Sequence, residues 1–121
     1  MARCDRGYLC RVCGDEVEEI IDSELYLRFV IGEVDPETLH TQSECHLRCN
    51  PVLAQFIEDP RFQPPVVGPA AFAKEQLDPA FVQQRTQLVC RGYARLWEIM
   101  TDEIGLAVYE YPLPEWLAKW Q

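Results

Sequence analysis

The chain has 121 residues, with 11 Lys and Arg against 20 Asp and Glu, for a formal net charge of −9 at pH 7. That length suits one domain or one domain with a tail, and an apolar share of 48% supplies a packed core, so disorder is excluded as the default. The negative field repels a phosphate backbone, which makes nucleic acid an unfavoured partner, and no run of about 18 apolar residues is present to span a bilayer.

The first residues, Met1-Ala2-Arg3-Cys4-Asp5-Arg6, lack the apolar stretch of a secretory signal, and the expected location is cytoplasmic. Thiols stay reduced there, so six cysteines point to metal or redox chemistry before disulfides. Residues 8–14 read Y-L-C-R-V-C-G, a tight knuckle that can aim backbone amides at thiolates. Val17, Ile20 and Ile21 follow as a short apolar patch, either strand or a turn of helix. From Asp22 to Val34 two periods coexist. Leu25, Leu27, Phe29 and Ile31 alternate like a strand, whereas Leu25, Tyr26, Phe29 and Val30 form a helical stripe. Asp22 or Ser23 as N-cap and Gly32 as a stop incline the reading to helix, with strand left open. Asp35-Pro36-Glu37 has the cap-then-proline order that starts another helix.

Further on, Asn50 can cap and Pro51 can open a helix that puts Val52, Leu53, Phe56 and Ile57 in a core and stops before Pro60. Four prolines between residues 60 and 69 forbid regular helix and predict an extended linker or strap. Asp78-Pro79 opens the clearest helix, running to about Thr101, with Phe81, Val82, Leu88, Val89, Leu96, Ile99 and Met100 at helical spacing. Gly92 inside it weakens the helix and marks a close backbone contact. The tail carries Tyr109, Tyr111, Trp116 and Trp120 around Pro112 and Pro114.

Structural zinc takes four soft ligands, commonly as two closely spaced pairs. Cys10-x-x-Cys13 is one pair; the second is His46-x-x-Cys49 or Cys45-x-x-x-Cys49. The two-residue spacing copies the first pair, and neighbours in an extended stretch point opposite ways, so Cys45 and His46 do not both bind. The expected ligands of Zn2+ are therefore Cys10, Cys13, His46 and Cys49, with Cys45 the alternative to His46. Cys90 reads as a core residue, Cys4 as either a core residue or an exposed thiol, and His40 as a surface or outer residue.

A C-x-x-C-G knuckle followed by H-x-x-C at a helix start resembles the treble-clef class of zinc fingers. The resemblance rests on Cys10, Cys13, Gly14, His46 and Cys49 with Asn50-Pro51, and spans about residues 8–58. It departs from the class in the 32 residues between Cys13 and His46, where the usual hairpin must carry an insertion or be replaced. The class serves in DNA binding, RNA binding, ubiquitin transfer and scaffolding, so the resemblance implies zinc and not a role.

The expected architecture is α+β and helix-rich. A zinc-binding unit occupies 1–60, a Pro-rich linker or strap 61–77, and a long C-terminal helix with an aromatic tail 78–121, the two ends packing as one domain. Three thiolates make a closed, electron-rich zinc that is a poor Lewis acid, and no H-E-x-x-H, G-x-S-x-G or glycine-rich phosphate loop occurs. Cys10 and Cys13 lack the strand–helix alternation of a thioredoxin-like dithiol. The expected role is a non-catalytic interaction or adaptor protein. The tail then either engages a protein partner or docks on the chain's own core near Trp97, and a homo-oligomer is compatible with both. The alternatives are a nucleic-acid-associated zinc finger regulator, which the acidity opposes, and a small zinc- or thiol-dependent enzyme.

Overall fold

A computed structural model describes residues 8–63, 65, 67–68, 72–102 and 105–119; Cys4 and Trp120 lie outside them. Strands β1 (Tyr8–Leu9) and β2 (Glu16–Val17) pair antiparallel, Tyr8 with Val17 and Leu9 with Glu16. The turn between them closes on Gly14, whose φ of +81° is a left-handed conformation that favours glycine. After a 3-10 turn at Ile20–Asp22 comes helix α1 (Glu24–Val30), capped by Ser23, whose Oγ accepts from the Tyr26 amide at 3.0 Å. The two competing periods now have a cause. Leu25, Tyr26, Leu27, Phe29, Val30 and Ile31 are all buried, so this helix is apolar nearly all round and satisfies either template.

Gly32, at φ +87°, ends α1. Asp35-Pro36 does not start a helix. The Asp35 carboxylate accepts from the Glu37 amide at 2.8 Å, a local turn that competes with helix, and only a 3-10 turn at Leu39–Thr41 follows. Helix α2 (Pro51–Ala54) is capped by Asn50 as expected but is a single turn. Beyond it the bonds tighten to a 3-10 pattern, with Phe56 N–H to Leu53 O at 3.2 Å and Ile57 N–H to Ala54 O at 3.0 Å. Gln55 explains the early stop: its amide nitrogen donates to the carbonyls of Val52 and Phe72, and its Oε1 accepts from the Lys74 amide. Phe56 and Ile57 enter the core, while Val52 stays exposed.

Helix α3 (Pro79–Thr101) is capped by Asp78, whose carboxylate accepts from the Phe81 amide at 3.1 Å. It buries Val89, Gly92, Tyr93 and Leu96. A Cβ at Gly92 would lie 2.4 Å from Ile31 Cγ2 and 2.9 Å from Leu27 Cδ1, so α3 crosses α1 at this glycine. Phe81, expected in the core, is half exposed and meets the edge of Phe56 instead.

The tail folds back. Leu113 N–H donates to Val30 O at 3.0 Å, Tyr111 and Leu113 are buried, and helix α4 (Pro114–Lys119) lays Trp116 over Gly32. Arg95 donates to the carbonyls of Tyr111 and Glu110, and Arg91 holds Glu115 by two 2.8 Å bonds. The landing place is therefore Gly32 with Arg91 and Arg95. Trp97 is covered by Arg61, whose guanidinium carbon sits 4.7 Å from the ring centroid. One apolar cluster joins α1, α2, α3 and the tail, and Cys10, Val17 and Cys45 form a smaller one. Among the described residues no helix is long and apolar enough to cross a membrane.

Candidate metal centre

The β1–β2 turn shapes the first half of the site. Cys10 N–H donates to Asp15 O at 2.8 Å and Gly14 N–H to Cys10 O at 2.9 Å. With the chain so curled, the amides of Val12 and His46 each lie 3.4 Å from Cys10 Sγ and donate to it. The second half is placed by α1. Ser23 bridges His46, Glu24 N–H donates to Cys45 O at 2.8 Å, and Arg11 N–H donates to Glu44 O at 3.0 Å. A 3-10 turn at Leu47–Cys49 then returns Cys49 toward His46, with Cys49 N–H on His46 O at 3.0 Å.

These constraints bring Cys10, Cys13, His46 and Cys49 together, one ligand atom from each, all within 4.8 Å of one another. His46 Nδ1 is 3.3 Å from Cys13 Sγ and 3.9 Å from Cys49 Sγ. Its Nε2 is 2.9 Å from the Glu16 carbonyl, which can only accept. Nε2 therefore carries the proton, and the Nδ1 lone pair faces the thiols, the arrangement by which an outer carbonyl orients a ligating imidazole. Cys45 is not part of the set: it is fully buried and its thiol donates to His46 O at 3.3 Å.

Without a metal the thiols differ sharply. Burial pushes Cys10 up, but hydrogen bonds from the amides of Cys13, His46 and Val12 outweigh it and bring the group down to about 5. Burial, then the hydrogen bonds and charges of Cys10 and Cys13, push Cys49 up to about 11. Cys45 rises to about 12, through burial and then the charges of Glu24 and Cys10. Cys10 thus favours the thiolate and Cys49 the thiol until a cation joins them.

A buried carboxylate ties both halves to the helices. Glu24, 2% exposed, takes Arg28 Nε on Oε1 at 2.9 Å, and Asn50 Nδ2 at 2.6 Å and Arg11 at 3.4 Å on Oε2. Arg11 follows Cys10 and Asn50 follows Cys49, so one side chain braces the neighbours of two candidate ligands. Sequence reasoning missed this role, although the i,i+4 spacing of Glu24 and Arg28 was a visible signal. Glu44, beside Cys45, has one oxygen on Ser23 Oγ at 2.8 Å and the other without a partner among the described residues. Burial raises its pKa above the ordinary carboxylate range, and it lies outside the four-atom cluster. His40 is exposed; Cys90, half-buried on α3, donates to Phe56 O and accepts from Glu58 N–H. The chain matches no family model, no curated protein and no solved structure.

Proposed function

We propose that the chain is a non-catalytic protein-interaction domain stapled by one structural zinc ion, of the treble-clef type. The observation that carries this reading is the closed set of three thiols and one oriented imidazole, with all four atoms within 4.8 Å. Zn–S bonds of about 2.3 Å and Zn–N bonds of about 2.0 Å give a tetrahedron whose edges are roughly 3.5–3.8 Å. The S···Nδ1 separations of 3.3 and 3.9 Å straddle that edge. In a treble-clef reading, β1–β2 is the knuckle, and Asn50-Pro51 opens the helix after the second pair. α1 occupies the long interval in place of the usual hairpin, and α2 is shorter than the class helix.

The knuckle has little apolar contact to hold it. Its own apolar cluster is Cys10, Val17 and Cys45, with Cys49 at the edge. Zinc binding worth about 10–16 kcal/mol in small fingers rivals the whole stability of a typical domain, about 5–15 kcal/mol, and so decides the matter here. The metal is a staple and not a reagent, because four protein ligands leave no position for substrate and Glu44 is turned to Ser23.

Cobalt(II) substitution tests the reading. One ion per chain with the strong visible absorption of a tetrahedral thiolate site, displaced by equimolar Zn2+ and absent in Cys13→Ser, is expected. A weak spectrum of the six-coordinate kind in folded protein would refute it.

A further inference from the structure

Three of the large apolar side chains left exposed share one recess. Val52, Phe72 and Phe81, 42%, 53% and 49% exposed, line a cavity of about 430 Å³ between α1, α2 and α3, floored by Leu53 and Phe56. Contiguous apolar surface around a concavity marks a binding site more often than scattered exposed residues do. Arg28 and Arg85 stand at its margin. Arg28 also lines a second, polar recess of about 370 Å³ with Arg11, Gln42 and Ser43.

Charge says what fits. Arg11, Arg28 and Arg85 face Glu24 and Glu33, three cations against two anions, on a chain whose net charge is −9. Arg28 reaches Glu24 through Nε and Arg11 through one terminal nitrogen. Among the described residues their other guanidinium nitrogens have no protein partner. Elsewhere the field repels an acidic segment; here the Arg28 guanidinium stands at an apolar hole and shares the adjoining polar recess with that of Arg11.

We infer that the two recesses, which meet at Arg28, dock an acidic segment of a partner protein, its bulky apolar side chain among Val52, Phe72 and Phe81 and a nearby carboxylate on Arg28 and Arg11. The segment contributes a desolvated anchor and a charged pair that fixes its register. Docking is coupled to the metal, because Arg11 lies between Cys10 and Cys13, and Asn50, which shares Glu24 with it, adjoins Cys49. That coupling alone rests on the zinc reading; the groove between the helices does not.

The test uses the full chain loaded with zinc and short fluorescein-labelled peptides, each with one tryptophan and two glutamates at varied spacing. Fluorescence anisotropy should find members that bind saturably and weaken with added salt. Their glutamine versions and their alanine-for-tryptophan versions should bind at least about tenfold more weakly. Phe81→Ala, at an exposed position, should weaken binding about tenfold with an unchanged circular dichroism spectrum, and Arg11→Ala should weaken it about tenfold at full zinc loading. Tyr109→Ala, 72% exposed and away from the groove, should change nothing. The proposal is overturned if no peptide binds, if glutamine and glutamate versions bind alike, or if Phe81→Ala binds as wild type. It is also overturned if Phe81→Ala abolishes self-association or binding to phosphatidylserine vesicles instead. Binding that survives chelation yet is lost in Phe81→Ala upholds the groove and overturns its coupling to zinc.

Discussion

Replacing Gly92 by alanine adds one methyl group where α3 crosses α1. Its position would be 2.4 Å from Ile31 Cγ2 and 2.9 Å from Leu27 Cδ1, against a comfortable carbon–carbon contact of about 3.5–4.0 Å. Ile31 cannot swing aside, since it is 1% exposed and β-branched, and Leu27 is fully buried. The helices must part. Overpacking of this kind costs about 1–3 kcal/mol, and two short contacts place it near the top of that range. Helix propensity returns about 1 kcal/mol. The balance is a loss of roughly 2 kcal/mol. An unfolding entropy of about 2.1 cal/mol/K per residue, over 121 residues, converts this to a fall in Tm of roughly 8 °C. Thermal melts by circular dichroism on metal-loaded protein would read it. Gly68→Ala, with nothing among the described residues within 4 Å of the added carbon, is the control without a close contact and should melt near wild type. A Gly92→Ala protein that melts at or above wild type would refute the close crossing, because propensity alone would then be acting.

His46→Ala should release the metal while Cys45→Ala retains it, since only the imidazole lone pair faces the other thiols; metal content after gel filtration decides, and the reverse result would make the site all-cysteine. Deleting residues 109–121 removes the buried Tyr111 and Leu113 and the half-buried Trp116, worth roughly 1.5–3 kcal/mol each. The truncated chain should melt at least about 10 °C lower and aggregate, and an unchanged melt would contradict the docking of the tail. Arg61 holds the Asp59 carboxyl below its ordinary range, chiefly by hydrogen bonding. A depressed folded-state pKa stabilises above the unfolded value of about 3.9 and is lost as pH falls through the folded one. Asp59→Asn should therefore cost at most about 1 kcal/mol at pH 7 and nothing once Asp59 is protonated in wild type; a difference that persists at low pH would assign the loss to something else.

The clustering of Cys10, Cys13, His46 and Cys49 was the most legible feature, because two short-spaced pairs have few other uses and because extended chain forces Cys45 and His46 to opposite sides. Gly92 was legible for a similar reason: a helix tolerates glycine mid-span chiefly where a neighbour needs the room. α2 was not. Val52, Leu53, Phe56 and Ile57 fit a longer helix, and the device that ends it is Gln55, a polar residue whose hydrogen bonds reach Phe72 and Lys74, distant in sequence. Glu24 shows the same limit. Nothing local marks a carboxylate as buried when two of its three partners, Arg11 and Asn50, are distant in sequence. The tail's aromatic content announced a docking element, yet its landing place depended on Gly32, which from the sequence was only a helix stop.

Elemental analysis of the freshly purified, folded protein bears most directly on the metal staple. About one zinc per chain is expected, falling to a small fraction in Cys49→Ser and unchanged in Cys90→Ser, whose thiol lies outside the cluster. Folded wild-type protein that is free of zinc, with a melting transition indifferent to added Zn2+, would contradict it.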